Sequence, residues 1–339
     1  MPRRASVAVA VLAVALAAAG CGLHGGRVAI LEENDVANLG DGLDVDRDYT
    51  QGGLAALTLS AEDTPGWARE AAEALPLFRK GGEVRLGILI GQEMYTPEDL
   101  AIHAPIPDDR PYGGWLHVGL ALEGRALDAD ADRRRDRRDL LEVDLGVVGP
   151  ASLAEPSQDV AHRILEIPGA EGWDNQLKNE PALQAAWERR WRLLRGGLGG
   201  DWSAEALPIA RARAGTVRVD AAAGALGRIG WNVPRDFGPT PVDGTGLAKG
   251  APRARPSAYL FAGGEARGVV HDLFVEGGTF RGGPSATATN FVHDATAGIA
   301  AGWGNLSAEF AMTWRSPEFR ERRRYHQFST VLVAWTWWF

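Results

Sequence analysis

A single cysteine, Cys21, stands among the 339 residues. One thiol can form no internal disulfide, and a thiolate metal site is excluded with it. Long hydrophobic runs are equally scarce: after the N-terminal segment, no stretch approaches the roughly 20 apolar residues that a membrane-spanning helix needs. Positive charge is in deficit too. The 36 Lys and Arg against 44 Asp and Glu leave a net charge of −8, which argues against nucleic acid as a partner, because phosphate contacts reward clustered Lys and Arg. The short signatures of common hydrolases are also missing. There is no Gly-x-Ser-x-Gly elbow and no His-x-x-x-His or His-Glu-x-x-His spacing, so serine-nucleophile and zinc hydrolysis both lose ground.

What is present begins with an export signal. Arg3 and Arg4 precede an apolar run from Ala5 to Ala19 that ends in small residues before Cys21, the charged, hydrophobic and small-residue order of a secretory leader. The expected organisation is a leader over residues 1–21, cleaved near 19–21, and one domain over 22–339. Cys21 follows Ala18-Ala19-Gly20 and is either a lipid-modified first residue or simply adjacent to ordinary cleavage. The 43 glycines and 12 tryptophans suit a sheet protein with many turns and interfacial aromatics.

Several segments alternate with the period of two that marks a strand with one apolar face. Leu141, Val143, Leu145 and Val147 oppose Glu142 and Asp144. Leu306, Ala308, Phe310, Met312 and Trp314 oppose Ser307, Glu309 and Thr313. Val84 to Ile90 and Leu116 to Leu122 repeat the pattern, and the chain closes on "STVLVAWTWWF", with Val331, Val333, Trp335 and Trp337 on one face. Charged residues on the buried side of a soluble sheet are costly, whereas a polar interior with an apolar exterior is what a membrane barrel presents. The expected fold is therefore all-β: a twelve-stranded antiparallel transmembrane β-barrel with long outer loops and short inner turns. The strand candidates are 27–34, 51–60, 83–94, 112–123, 139–148, 205–217, 221–232, 258–265, 268–276, 290–301, 305–314 and 326–339. Segment 61–82 reads as a short helix in an inner connection, and "DADADRRRDRRD" (128–139) as a solvated turn. With the N-terminus inside, this count puts 35–50, 95–111, 149–204, 233–257, 277–289 and 315–325 on the outer side. The inner connections are 61–82, 124–138, 218–220, 266–267 and 302–304. The motif-like segments "ENDV", "RDYTQGG", "GQEMYTPEDL", "DDRPYGGW", "GVVGP", the His162 loop, "PRDFGP" and "EGGTF" then all fall on or beside the outer rim.

The usable side chains there are His162, Asn34-Asp35, Thr50, Gln158 and the acids Glu98, Asp99, Asp108 and Asp109. Histidine is the natural general base near neutral pH. Gln158 lies four residues before His162, so one helical turn would put both on one face. Asp, Asn and backbone carbonyls are hard oxygen donors that favour calcium, which beside a histidine could polarise an ester carbonyl while the histidine activates water. Asn34-Asp35 is also what a turn at a strand end selects, and spacing alone leaves the two readings open.

The stretches "ENDV", "DYTQGG", "YTPEDL", "DDRPYGGW", "LEVDLGVVGP", "QDVAHRI" with "GWDNQLKNEP", "PRDFGP", "YLFAGGEAR" and "TFRGG" together resemble the lipid A 3′-O-deacylase (LpxR-type) outer-membrane family, in order along essentially the whole mature chain. The resemblance implies a barrel in the outer membrane that removes the 3′-linked acyloxyacyl group of lipid A by calcium-dependent ester hydrolysis. It places the general base on His162 and further site residues on Gln158, Asn34, Asp35 and Thr50, with Asp35 and Asn34 as metal ligands. The substrate would be lipid A or lipopolysaccharide in the outer leaflet, and the protein a monomer. Three departures stand out. Gly113-Gly114 replaces a usual alanine, Gly278 a usual asparagine, and Pro168 stands six residues after the histidine, where some members carry an acid. Glu166 and Glu171 are nearby candidates for that missing acid. An outer-membrane phospholipase, a pore with Glu142, Asp144 and Glu309 in its lumen, and a non-catalytic lipopolysaccharide binder are the alternatives.

Overall fold

Strand alternation decides the architecture. In a computed structural model, which describes residues 23–35, 48–126, 136–239 and 255–338, the strands are β1 (Gly25–Asn34), β2 (Asp48–Leu59), β3 (Glu83–Thr96), β4 (Gly113–Ala126), β5 (Arg137–Val148), β6 (Glu180–Trp191), β7 (Leu194–Gly199), β8 (Trp202–Gly215), β9 (Arg218–Trp231), β10 (Ser257–Asp272), β11 (Phe291–Trp303), β12 (Leu306–Arg315) and β13 (His326–Trp338). Apart from β6 and β7, strands adjacent in sequence pair antiparallel, and β1 pairs with β13. Both β6 and β7 lie against β8, through Arg190↔Ile209 and Leu194↔Ala206. They are two parts of one wall strand, broken at Arg192, so the barrel closes with twelve positions. The leader, Cys21, Val36 of "ENDV" and residues 128–135 of the charge run lie outside the described residues.

Val118, Leu120, Val143, Leu145, Leu260, Ile299, Val331, Val333 and Trp335 are exposed, while Arg138, Glu142, Asp144, Glu188, Arg190, Glu205, Arg211 and Glu309 are buried. This inverts the soluble pattern and suits a wall facing hydrocarbon. The charged interior is tolerable because its members pair and hydrogen-bond: Arg138 and Arg190 both meet Glu188, at 2.9 and 2.8 Å, and Arg192 meets Glu205 at 3.0 Å. No helix among the described residues is long and apolar enough to cross a membrane; the wall is crossed by strands.

Both ends of the lumen are filled. At the outer end Tyr49, Tyr95, Trp115, Leu177, Leu273, Phe274 and Phe328 form a buried cluster, with Tyr95 stacked on Phe274 at 4.1 Å. At the other end Phe237, fully buried, packs with Leu207, Leu226, Tyr259 and Phe261. Arg190 Nη1 donates to the Phe237 carbonyl at 3.0 Å, and Arg228 pairs with Asp236 at 2.5 Å.

The expected count of twelve is correct, but two errors cancel in it. Residues 180–199, taken as outer loop, form β6 and β7. Their Ala, Glu, Arg and Leu content does not favour strands, yet Ala182, Gln184, Ala186, Glu188 and Arg190 face inward in strict alternation. Conversely, 258–265 and 268–276 are one strand, β10, up to Asp272, carried through Gly268 by a register irregularity between Val269 and His271. The missed strand reverses the side assigned to every connection from 205 to 267. Residues 232–239 and 255–256 are therefore on the inner side, and "PRDFGP" plugs the inner mouth. The link at 216–217 is outer, and 266–267 is no turn at all. The expected short helix in the inner connection is present as α1 (Gly66–Ala74), seated on buried Ala68 and Ala72.

Candidate active site

The strand register places Asn34 on the outside of the wall. In β1 the even-numbered residues face outward, with Ile30 exposed and Leu31 and Glu33 buried. Across β1 to β4 this face reads in rows. Ile30, Ala55, Ile90 and Val118 form one row; Glu32, Gly53, Gln92 and Leu116 form the next; Asn34, Gln51, Met94 and Gly114 form the outermost. The wall thus changes from apolar to polar within one row near its outer end.

A register shift between Tyr49 and Gln51 makes Thr50 the extra residue of a bulge, a device that re-aims a side chain. Thr50, 1% exposed, meets Thr96 hydroxyl to hydroxyl at 2.6 Å, and its carbonyl accepts from Asp35 N–H at 3.4 Å. Asp35 is 3% exposed. Asn34, Asp35 and Thr50 are therefore brought together, with Thr96 of "YTPEDL" beside them.

Over this wall lies α2 (Ala154–Leu165). Gly149, at φ 92°, and Leu153, at φ 60°, turn the chain from β5 into it, and Pro156 sits in the first turn, where its missing N–H costs nothing. Gly114 lets the helix approach: a Cβ there would lie 2.3 Å from both Ala154 Cβ and Ser152 Oγ. Gln92 Nε2 also donates to the Ser152 carbonyl at 2.6 Å. The departure at Gly113-Gly114 is thus a packing requirement of this chain. Gly114→Ala should displace α2 from the wall, seen as lost hydrogen-exchange protection over residues 152–164 while the folded barrel still shifts on unheated gels; unchanged protection would refute this. Gly278 is likewise tight, its Cβ position lying 2.4 Å from the Arg281 carbonyl and 3.0 Å from Glu180 Oε2.

Gln158 and His162, one helical turn apart, are 2% and 4% exposed. Trp173 Nε1 donates to Gln158 Oε1 at 2.7 Å, so the amide orientation is set. Its Nε2 is buried with no hydrogen-bond partner among the described residues. Glu166, at φ 57°, caps α2 and turns the chain so that the Pro168 carbonyl lies 2.6 Å from His162 Nδ1. A carbonyl can only accept, so Nδ1 carries the proton and the imidazole lone pair is on Nε2. The position where some family members carry an acid thus supplies a backbone acceptor, and neither Glu166 nor Glu171 takes that place. The two halves of the site meet through the buried cluster of Met94, Tyr112, Ala154 and Trp173.

The acids of the outer loops serve differently. Asp109 accepts the backbone N–H groups of Glu98 and Arg110, each at 2.8 Å, and burial raises its carboxyl above the usual range. Glu98 pairs with Arg322 at 2.6 Å, Arg322 with Asp48 at 2.8 Å, and Arg110 with Glu318 at 2.9 Å. These pairs stitch loop 97–112 to loop 316–325 over the barrel mouth. Sequence reasoning also passed over Trp173, whose indole stood in the quoted "GWDN", and Glu32 and Gln51, polar residues on an otherwise apolar face.

As a metal site, Asp35, Asn34 and Thr50 offer one carboxylate with neutral oxygen donors, the hard set that suits calcium. Among the described residues no group of three or more His, Cys, Asp and Glu side chains gathers at ligand spacing, so any such site at Asp35 draws on amide, hydroxyl or carbonyl oxygens.

LpxR from Salmonella typhimurium superposes on the chain with a TM-score of 0.72 at 19% identity, over 91% of this chain and 99% of that one. The β domain of the Bordetella autotransporter BrkA gives 0.44 at 13% identity, over 93% and 100%. No curated protein sequence matches. The family model described as outer membrane protein LpxR matches residues 5–337. With that match running nearly end to end, the chain belongs to the LpxR family of outer-membrane proteins.

Proposed function

We propose that this protein hydrolyses the 3′-linked acyloxyacyl ester of lipid A in the outer leaflet. The observation that carries the proposal is the polar ledge on the lipid-facing wall of β1–β4, roofed by α2 with His162 turned inward. A membrane-resident ester can reach such a ledge from the bilayer without entering the filled lumen. His162 Nε2 takes a proton from water, held in the right tautomer by Pro168, and later returns it to the sugar alkoxide. Gln158 Nε2, fixed by Trp173, donates to the oxygen that becomes negative at the acyl carbon. Thr50 orients the substrate. Asp35 and Asn34 are the residues that would hold calcium, whose chemistry there is charge stabilisation at the ester carbonyl. One chain closes the barrel on itself, so a monomer suffices.

Mass spectrometry of lipid A from a host lacking 3′ deacylation, with and without this protein, is the test. Loss of the 3′ acyloxyacyl mass is expected; unchanged lipid A would overturn the reading. In membranes, chelation should abolish cleavage and added calcium restore it. Cleavage indifferent to chelator would remove calcium from the proposal and leave the deacylase.

A further inference from the structure

Glu32 is a carboxylate on the lipid-facing side of β1, in the last polar row before the apolar wall. The row beneath it is Ile30, Ala55, Ile90 and Val118, with Ile30 and Val118 exposed. Charge on this face of a barrel is destabilising, by an amount that falls toward the interface, so an acid at this depth asks for a use. Its surroundings are arranged around it. Gln51 Nε2 donates to Glu32 Oε1 at 2.5 Å, holding the carboxylate across the β1–β2 seam. The residue opposite is Gly53, where a Cβ would lie 3.2 Å from Oε2. Oε2 has no hydrogen-bond partner among the described residues, and the residue is half-buried. The row above holds Asn34, and the same row holds Gln92, which ties α2 to the wall.

We infer that Glu32 Oε2 is an acceptor for a hydroxyl or amide N–H of the lipid bound beneath His162, and that it selects acylated sugars over glycerophospholipids. The inference rests on the proposed function and refines it to a substrate class. Residues two apart along a strand are separated by roughly 6.5–7 Å, so a group on Glu32 lies about one sugar width below Asn34. An acylated amino sugar carries amide and hydroxyl donors next to its esters. A glycerophospholipid presents none next to its esters. Gln51 contributes by orientation, and Gly53 by leaving the space open.

The test separates this assignment from catalysis. Binding of purified lipopolysaccharide in detergent micelles is measured for His162→Ala and for His162→Ala with Glu32→Ala, so turnover plays no part. Loss of one hydrogen bond should weaken binding by about 5- to 10-fold. Binding of phosphatidylglycerol in the same micelles should be unchanged. In the active protein, Glu32→Ala should raise KM by a similar factor with kcat within about twofold, the signature of lost uniform binding. Glu32→Gln, which keeps shape and one acceptor oxygen, should fall between. Heat-modifiability of each variant reports folding. Equal affinities for lipopolysaccharide with and without Glu32, or a fall in kcat at constant KM, would overturn the assignment. Failure of the parent protein to cleave lipid A would instead strike the proposed function, with the binding comparison still deciding Glu32.

Discussion

His162→Ala should lose lipid A ester cleavage by about 10²–10⁴-fold, the contribution of a positioned general base, while the barrel remains heat-modifiable on a gel. The expectation follows from geometry. His162 is nearly buried, its Nδ1 is committed to the Pro168 carbonyl, and Nε2 is therefore the basic atom. A carbonyl orients an imidazole as a carboxylate does, so the proposed mechanism needs no acid beside His162. His162→Gln, which retains a polar side chain without a basic nitrogen, should be as inactive as alanine. Activity retained by either variant would remove histidine from the chemistry and leave α2 as a lid.

The second large effect is on stability. Glu318 lies in loop 316–325 with Arg110 at 2.9 Å, Arg315 at 3.5 Å and Arg267 at 3.6 Å. Glu318→Ala leaves those guanidinium groups buried with one counter-charge fewer and should cost about 3–5 kcal/mol. The lower end applies, because Asp294 also contacts Arg315 and Arg267, at 3.1 and 3.2 Å. Burial alone would raise the Glu318 carboxyl, but Arg315, Arg110 and Arg267 more than offset it and hold it well below the usual carboxylate range. A depressed folded-state value contributes stability that is fully present above the unfolded value, near 4.3 for glutamate, and is lost as pH falls toward the folded one. Denaturant unfolding of the micelle-bound barrel, followed by tryptophan fluorescence, should therefore show the wild type losing stability below about pH 4.5 and Glu318→Ala losing less of it. An unchanged midpoint at pH 7 would mean the arginines are satisfied without Glu318.

Much of the fold was legible because a barrel wall writes its two solvents into alternate residues. Val143 and Leu145 against Glu142 and Asp144 need no tertiary information to be assigned to opposite faces. The missed strand shows the limit. Glu180 to Trp191 alternates as strictly, but its inward face carries alanines, Glu188 and Arg190 in place of valines, and that charge becomes legible as lumen lining only when Arg138 of the neighbouring strand is seen to pair with Glu188. Because sides alternate along the chain, that one omission carried "PRDFGP" to the wrong end of the molecule.

The site divides in the same way. The sequence by itself determined the outward alternation of the membrane wall and the chemical candidates His162, Gln158, Asn34, Asp35 and Thr50, since periodicity and side-chain chemistry are local properties. Only the tertiary structure decided which face of the wall holds Asn34, that a bulge aims Thr50 at Thr96, that Gly114 admits α2, and that the Pro168 carbonyl stands where some family members carry an acid. Those depend on strand register and on backbone atoms, and a carbonyl has no residue name by which a sequence could announce it.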